Sequence, residues 1–218
     1  MKKIRKFDLY SDYVSSVKTN PQISHVLENN YVYVDSKTIP LGVFILGKDG
    51  KYYSENEWNQ DNSNAIGVSV ANEIFKFGIA KDDSYTSWGT FDKLVSNCKT
   101  TIEDLDALSD SDGLSNTKSI IEQDSPDCMA AIYCDNESNL IGKQCYLGSI
   151  GEWNFAFENK AQIEKLMNKI GGQKFSTYYW SSTQYDSQQA WNFIWVDGII
   201  DIYYKDDKRF VRPFIKLK

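Results

Sequence analysis

A single histidine, His25, stands in a chain of 218 residues, and no motif surrounds it. A Ser-His-Asp or Cys-His device would have to use it. No Walker-type glycine loop and no histidine-rich cluster occurs, so the usual signatures of a phosphate cradle or a metal centre are absent. Four cysteines (Cys98, Cys128, Cys134 and Cys145) are too few and too unevenly spaced for a disulfide scaffold, and no Cys-x-x-Cys pair is among them. One disulfide among Cys128, Cys134 and Cys145 stays open; buried free thiols are the reading we favour. Positive charge is also short. Lys and Arg number 24 against 30 Asp and Glu, and the net charge of −6 argues against nucleic acid as a partner. No apolar run is long enough to span a bilayer. Residues 1–6 begin like a signal peptide, but Phe7-Asp8-Leu9-Tyr10-Ser11-Asp12 supplies no apolar core to it, so secretion by the general route is not expected.

What the chain has is aromatic surface: Tyr, Phe and Trp make up 14% of it, a bias shared with β-rich modules that bind carbohydrate or protein. The length suits one sizeable domain, here residues 38–218, with an appendage. Residues 1–37 are polar and broken, with Tyr31–Val34 as their one convincing strand. They read as an attachment or oligomerisation segment that docks on a neighbouring subunit or a larger particle, or as an irregular wrap around the main domain. Strands are expected at Leu41–Leu46, Lys51–Tyr53, Ala65–Val70 and Ile74–Ile79. Ser149 and Glu152 form a capping box, and a helix with Trp153, Ala156 and Phe157, then Ile163, Leu166, Met167 and Ile170 on one face follows it. Asn159 is placed to break that helix, and Gly171-Gly172 to stop it.

Residues 101–117 are acidic and invite a calcium reading. The EF-hand register fails, because Asp110-x-Asp112-Gly113 would require a ligand at Leu108 and a glutamate where Ser119 stands. A solvated loop is expected there, closed by a cap near Asn116-Thr117, with a helix over Lys118–Gln123 burying Ile120 and Ile121. The fold class is therefore α+β, with two helices and small antiparallel sheets.

The most informative stretch is the last, from Tyr178 to Lys218. Trp191, Phe193 and Trp195 alternate with Asn192, Ile194 and Val196, the period of a strand with two unlike faces. Asp197-Gly198 is a type I′ hairpin signal. Ile200–Tyr204 is a second strand, Lys205–Lys208 a polar turn and Phe210–Leu217 a third strand, in which Pro213 argues for an edge or a bulge. Ser181 and Ser182 read as backbone-bonding residues and not as nucleophiles.

Within this stretch Tyr179-Trp180-Ser181-Ser182-Thr183, Ala190-Trp191, Gly198, Lys205 and Val211-Arg212-Pro213 form a spaced frame. The frame resembles the C-terminal end of C-type-lectin-fold proteins of the formylglycine-generating-enzyme type. More narrowly, it is similar to the variable proteins diversified by retroelements in gut Bacteroides and their phages. The resemblance extends upstream through Cys145-Tyr146-Leu147, Gly151-Glu152-Trp153-Asn154 and Glu158-Asn159-Lys160, and back to Gly42-Val43-Phe44, Tyr53, Glu55 and Trp58. It implies a C-type lectin fold with an N-terminal extension, a structural frame (Trp180, Ser181, Ser182, Trp191, Gly198, Lys205, Arg212 and Pro213) and a variable region over about 180–212. In such proteins template adenines are mutated in copying, so AAY codons become NNY, which never encodes Trp, Lys, Gln, Glu or Met. Trp191, Trp195 and Lys205 fall where the resemblance expects constant residues. The remaining positions supply the candidate ligand-binding set: Asp186, Asn192, Ile194, Val196, Asp197, Ile200, Asp201, Ile202, Tyr203, Tyr204, Asp206, Asp207 and Phe210.

The function this implies is recognition of a protein or glycan receptor on a target cell, from a phage tail or another extracellular surface, with no catalysis and no cofactor. A phage protein released by lysis would need no signal. The competing reading is a cell-surface lectin-like adhesin of fixed specificity. Formylglycine-generating enzymes use active-site cysteines, whereas the cysteines here all precede the terminal stretch. Calcium is not expected either. Glu-Pro-Asn is missing, and Trp195-Val196-Asp197 departs from the lectin-type Trp-Asn-Asp at its middle position. Adding a chelator is therefore expected to leave the thermal midpoint unchanged; a marked drop, read by circular dichroism, would contradict this.

Overall fold

The computed structural model describes residues 39–217. Ahead of them it describes only the backbone of three strands, β1 (Lys2–Lys6), β2 (Ile23–Leu27) and β3 (Tyr31–Val34), which form an antiparallel sheet in the order β1-β3-β2. The rest of the segment read as an attachment region lies outside the described residues.

Two larger sheets carry the domain. The first contains β5 (Tyr52–Tyr53), β4 (Gly42–Gly47), β6 (Ala65–Ala71), β7 (Lys76–Ala80), β14 (Pro213–Lys216) and β9 (Cys145–Leu147), in that spatial order. The second runs β12 (Ile199–Tyr204), β11 (Gln189–Ile194), β10 (Tyr178–Gln184), β13 (Lys208–Val211) and β8 (Ser84–Ser87). Every pairing in them is antiparallel except β10 with β13.

Five helices are present among the described residues, where the sequence suggested two: α1 (Asp104–Leu108), α2 (Gly113–Asp124), α3 (Met129–Ile141), α4 (Ile150–Glu158) and α5 (Lys160–Lys169). The expected acidic loop is largely helical. Asp112 caps α2 by accepting from the Ser115 amide, so the helix starts well before Lys118. Asn116 and Thr117 are buried helical residues and not caps. The Asn116 amide donates to Asp110 and Ser182, and the Thr117 hydroxyl donates to the Gly113 carbonyl. Hydrogen bonding inside the fold makes this polar face buriable, which a hydropathy pattern does not reveal. α3 was not anticipated; it ends at Gly142, which takes the left-handed conformation.

The Ser149–Glu152 capping box forms, Asn159 divides α4 from α5, and Gly171 follows Ile170 with a φ of +67°. Gly151 is required by crowding. Its amide donates to the Asp110 carbonyl at 3.0 Å, and a β-carbon there would lie 2.3 Å from that oxygen.

Phe210–Leu217 is not one edge strand. β13 ends at Val211 in the five-stranded sheet, and β14 begins at Pro213 in the interior of the other, paired to Leu147 on one side. A proline fits because it is the first residue of the strand, entered as the chain changes sheets.

The largest apolar cluster fills the space between the sheets and α4–α5. Trp153 lies within it, its ring centroid 4.8 Å from Tyr179, 4.9 Å from Phe214 and 6.0 Å from Phe193. A second cluster joins Trp88, Ile120, Cys128, Ala131, Leu147, Trp180, Ala190 and Val211. The five-stranded sheet is thus covered on both faces: Tyr179, Trp191 and Phe193 enter one cluster, Trp180, Ala190 and Val211 the other. All four cysteines are free and buried, and burial pushes Cys98 and Cys145 up to about 12 and Cys128 to about 11, conditions for inert thiols.

Glu152 carries a pH signature. Burial pushes its carboxyl up to about 7, against the hydrogen bonds it accepts from Ser149 and Tyr146, and Asp110 adds to the rise. A carboxyl with a raised folded-state pKa stabilises fully below its unfolded value near 4.5 and loses that contribution as pH rises through about 7. Stability is expected to fall by about 3 kcal/mol across that window. Denaturant titrations from pH 4.5 to 8 should show the slope, and Glu152→Gln should flatten it.

Candidate functional site

The terminal meander separates residues that hold the sheet from residues that are displayed. Trp180, Ser181, Ser182, Trp191, Lys205, Arg212 and Pro213 are all buried. Trp180 Nε1 donates to the Thr86 carbonyl and Trp191 Nε1 to that of Thr101. Ser181 Oγ donates to the Trp191 carbonyl at 2.8 Å, and the Ser182 amide donates to the Gly148 carbonyl. Ser181 thus takes the backbone-bonding role expected of both serines, whereas the Ser182 hydroxyl accepts from the Asn116 side-chain amide.

Lys205 looked like part of a polar turn, yet it is fully buried. Its Nζ donates to the Lys93 carbonyl and to Gln184 Oε1, both at 2.6 Å, and lies 4.7 Å from the Trp88 ring centroid. Burial pulls its pKa down to about 8.

The β11–β12 connection is a four-residue loop, Trp195 to Gly198, and not a two-residue type I′ turn. Only Gly198 has a positive φ, +78°, and its amide closes the loop on the Ile194 carbonyl at 2.9 Å. Lys160 Nζ fixes the loop by donating to the carbonyls of Trp195 and Val196.

Around this frame Val196, Asp197, Asp201, Tyr204, Asp206 and Asp207 are exposed. Asp186, Ile194 and Tyr203 are half-buried, the last against the second apolar cluster. Asn192 is a correction: it is fully buried, on a sheet row between Trp180 and Asp201, and neither polar atom of its side chain has a partner among the described residues. Ile200, Ile202 and Phe210 are half-buried as well. They pack against the main core, Ile200 opposite Phe193 and Ile202 opposite Trp191. Ile199-Ile200 and Tyr203-Tyr204 are consecutive on one strand, so alternation turns one residue of each pair away from the core. Of the isoleucines it is Ile199, at 55% exposure, that does so.

Two further residues belong to this surface. Arg209 lies over the Tyr203 ring at 3.4 Å and 5.4 Å from the Tyr178 centroid. Its position one before Phe210 on β13 was the available signal, since neighbours in a strand face opposite ways. Phe91 comes from a distant loop to lie 6.0 Å from Tyr204, and nothing local in the sequence indicates it.

No protein-family model and no curated protein matches this sequence. Among solved structures, a fimbrial protein from Bacteroides ovatus aligns with a TM-score of 0.61 at 13% identity. The fold is similar to that of a fimbrial protein. The alignment covers 81% of this chain and 48% of the other, so this chain spans about half the length of that protein. No helix among the described residues is long and apolar enough to cross a membrane.

The placements separate two sets of variants. Ile200→Ser and Ile202→Asn should each destabilise by about 2 kcal/mol or more, because they remove apolar area from the core and bury a polar group. Val196→Ser and Tyr204→Ser should stay within about 0.5 kcal/mol. Urea titration of the four variants checks both statements; equal losses in the two sets would refute the assignment of faces.

Proposed function

We propose that this protein is a surface adhesion protein that binds a protein or glycan receptor on a target cell through the displayed residues of its C-terminal meander. The observation that carries this reading is the partition of that meander. The frame residues Trp180, Ser181, Ser182, Trp191, Lys205 and Arg212 turn inward, whereas Val196, Asp197, Asp201, Tyr204, Asp206 and Asp207 are exposed on β12 and the loops at its two ends. Likeness in fold to a fimbrial protein from Bacteroides supports an adhesive role at a surface. Such a role needs no catalytic group.

In its finer form the reading is of a C-type lectin fold whose exposed positions are diversified by a retroelement, on a virion or a cell surface, with residues 1–37 attaching the domain to its own subunits or to a larger particle. A fixed-specificity adhesin module is the second reading, favoured by the likeness to a fimbrial protein.

Neighbouring DNA distinguishes the two. Under diversification, a near-copy of the segment encoding Trp180–Arg212, with AAY codons at the displayed positions, lies beside a reverse transcriptase gene. Its absence would leave the fixed adhesin. Recognition itself is tested with Val196→Ser, Tyr204→Ser and Asp207→Ala combined. This variant should keep its thermal midpoint and lose binding to target cells by about tenfold or more, whereas undiminished binding would sink the assignment of the surface.

A further inference from the structure

Among the described residues β12 is an open edge of the five-stranded sheet, paired with β11 alone, in a register unbroken from Gln189↔Tyr204 to Ile194↔Ile199. The bond from the Lys205 amide to the Gln188 carbonyl (2.9 Å) sets the phase of the ladder. Ile199, Asp201 and Tyr203 exchange hydrogen bonds with β11, and the backbone groups of Ile200, Ile202 and Tyr204 point outward. Two of these are occupied: the Ile202 amide by the Asp201 carboxylate at 2.8 Å, and the Tyr204 carbonyl by the Asp207 amide. The Ile200 amide and carbonyl, the Ile202 carbonyl and the Tyr204 amide have no partner among the described residues.

Other edges in the two large sheets are shorter: β8 has four residues, β9 three and β5 two. β12, with six, carries no proline, lysine or bulge, the usual guards of an exposed edge. Its surroundings are mainly acidic. Over residues 196–209 Asp197, Asp201, Asp206 and Asp207 are exposed, against an exposed Lys208 and a half-buried Arg209 held over the Tyr203 ring, while Lys205 is buried. Ile199 and Tyr204 add exposed apolar surface. A second copy of the chain is a poor occupant. Two-fold antiparallel pairing through the outward groups centres either on Asp201, which sets that carboxylate against its own symmetry mate, or on Ile202, which brings the loop carrying Asp197 against the turn carrying Asp207.

We propose that β12 is a strand-addition site for an extended, basic peptide segment of the receptor. The incoming strand bonds to the outward groups of Ile200, Ile202 and Tyr204 and releases the Asp201 carboxylate from the Ile202 amide to meet a lysine or arginine. This deepens the recognition reading above and rests on it.

The probe is a fluorescein-labelled peptide of alternating lysine and valine, about eight residues long, with a glutamate–valine peptide as control. Anisotropy should show the lysine peptide binding at least about tenfold tighter, with an advantage that shrinks as salt is raised. Amide hydrogen exchange should slow at Ile200 and Tyr204 on binding. Tyr204→Pro deletes an outward donor and should abolish that binding; should it fail to fold, Asp201→Lys leaves the backbone intact and should reverse the peptide preference. Equal binding of the two peptides, unchanged exchange at Ile200 and Tyr204, or an unaltered preference in Asp201→Lys would overturn the proposal. So would protection of those amides in the free protein, with or without a dimer in sedimentation, because the edge would then be occupied already. Target-cell binding by Tyr204→Pro separates the two levels. If cells still bind while the lysine peptide does not, strand addition to the receptor fails and recognition stands; if the peptide binds wild type and cells do not, the recognition reading fails.

Discussion

The buried guanidinium of Arg212 ties together the places where the chain passes between the two sheets. It donates to Asp83 Oδ2 at 2.8 Å and to the carbonyls of Gln173 and Lys81, and it lies 4.1 Å from the Phe175 ring centroid. Arg212 separates β13 from β14; Lys81 and Asp83 lie between β7 and β8; Gln173 lies between α5 and β10. One planar, permanently charged group thus pins both crossings and the entry to the five-stranded sheet. Tyr179 extends the network, donating to Asp83 and accepting from the Ser176 amide. Both side chains of the ion pair are fully buried, so desolvation offsets much of the attraction between them. What the pair secures is geometry: a lone Asp83 or Arg212 charge in this place would be strongly unfavourable, and few other arrangements satisfy both.

With the crossings fixed, the five-stranded sheet is packed from both sides. This double burial lets one short stretch of chain hold and display at once. Trp180 and Ala190 take one face, Tyr179, Trp191 and Phe193 the other, and the Lys205 ammonium is enclosed by two acceptors and the Trp88 ring. Little of the stability of the sheet is left to depend on Val196, Asp206 or Asp207, which touch solvent. A surface free of packing duties can change its chemistry without changing the fold, and that physical condition underlies the recognition reading.

Local chemistry made a good part of the scaffold legible. The Ser149–Glu152 cap, the break at Asn159 and the stop at Gly171 each rest on a side chain or a φ angle a few residues away, and each formed as expected. The loop containing Asp197-Gly198 was readable as a reversal, though not as its turn type. The early start of α2 was not readable, because its polar face becomes buriable only through distant partners: Asn116 bonds to Ser182, 66 residues away. α3 buries only a narrow apolar face of Ala130, Ala131 and Cys134, too weak a pattern to mark a helix.

The sequence by itself determined the period of the meander, its reversals and the spacing of its frame. Tertiary structure alone decided the phase, that is, which face of each strand is covered. Alternation distinguishes odd residues from even ones but carries no label for inside when helices and loops pack on both sides of the sheet. Asn192 is therefore enclosed and Ile200 and Ile202 are core-facing, while Ile199 and Arg209 join the display and Phe91 reaches it from a loop more than a hundred residues earlier. The same holds for Pro213, whose residue type marks an interrupted ladder but cannot say that the interruption is a passage from one sheet to the interior of another.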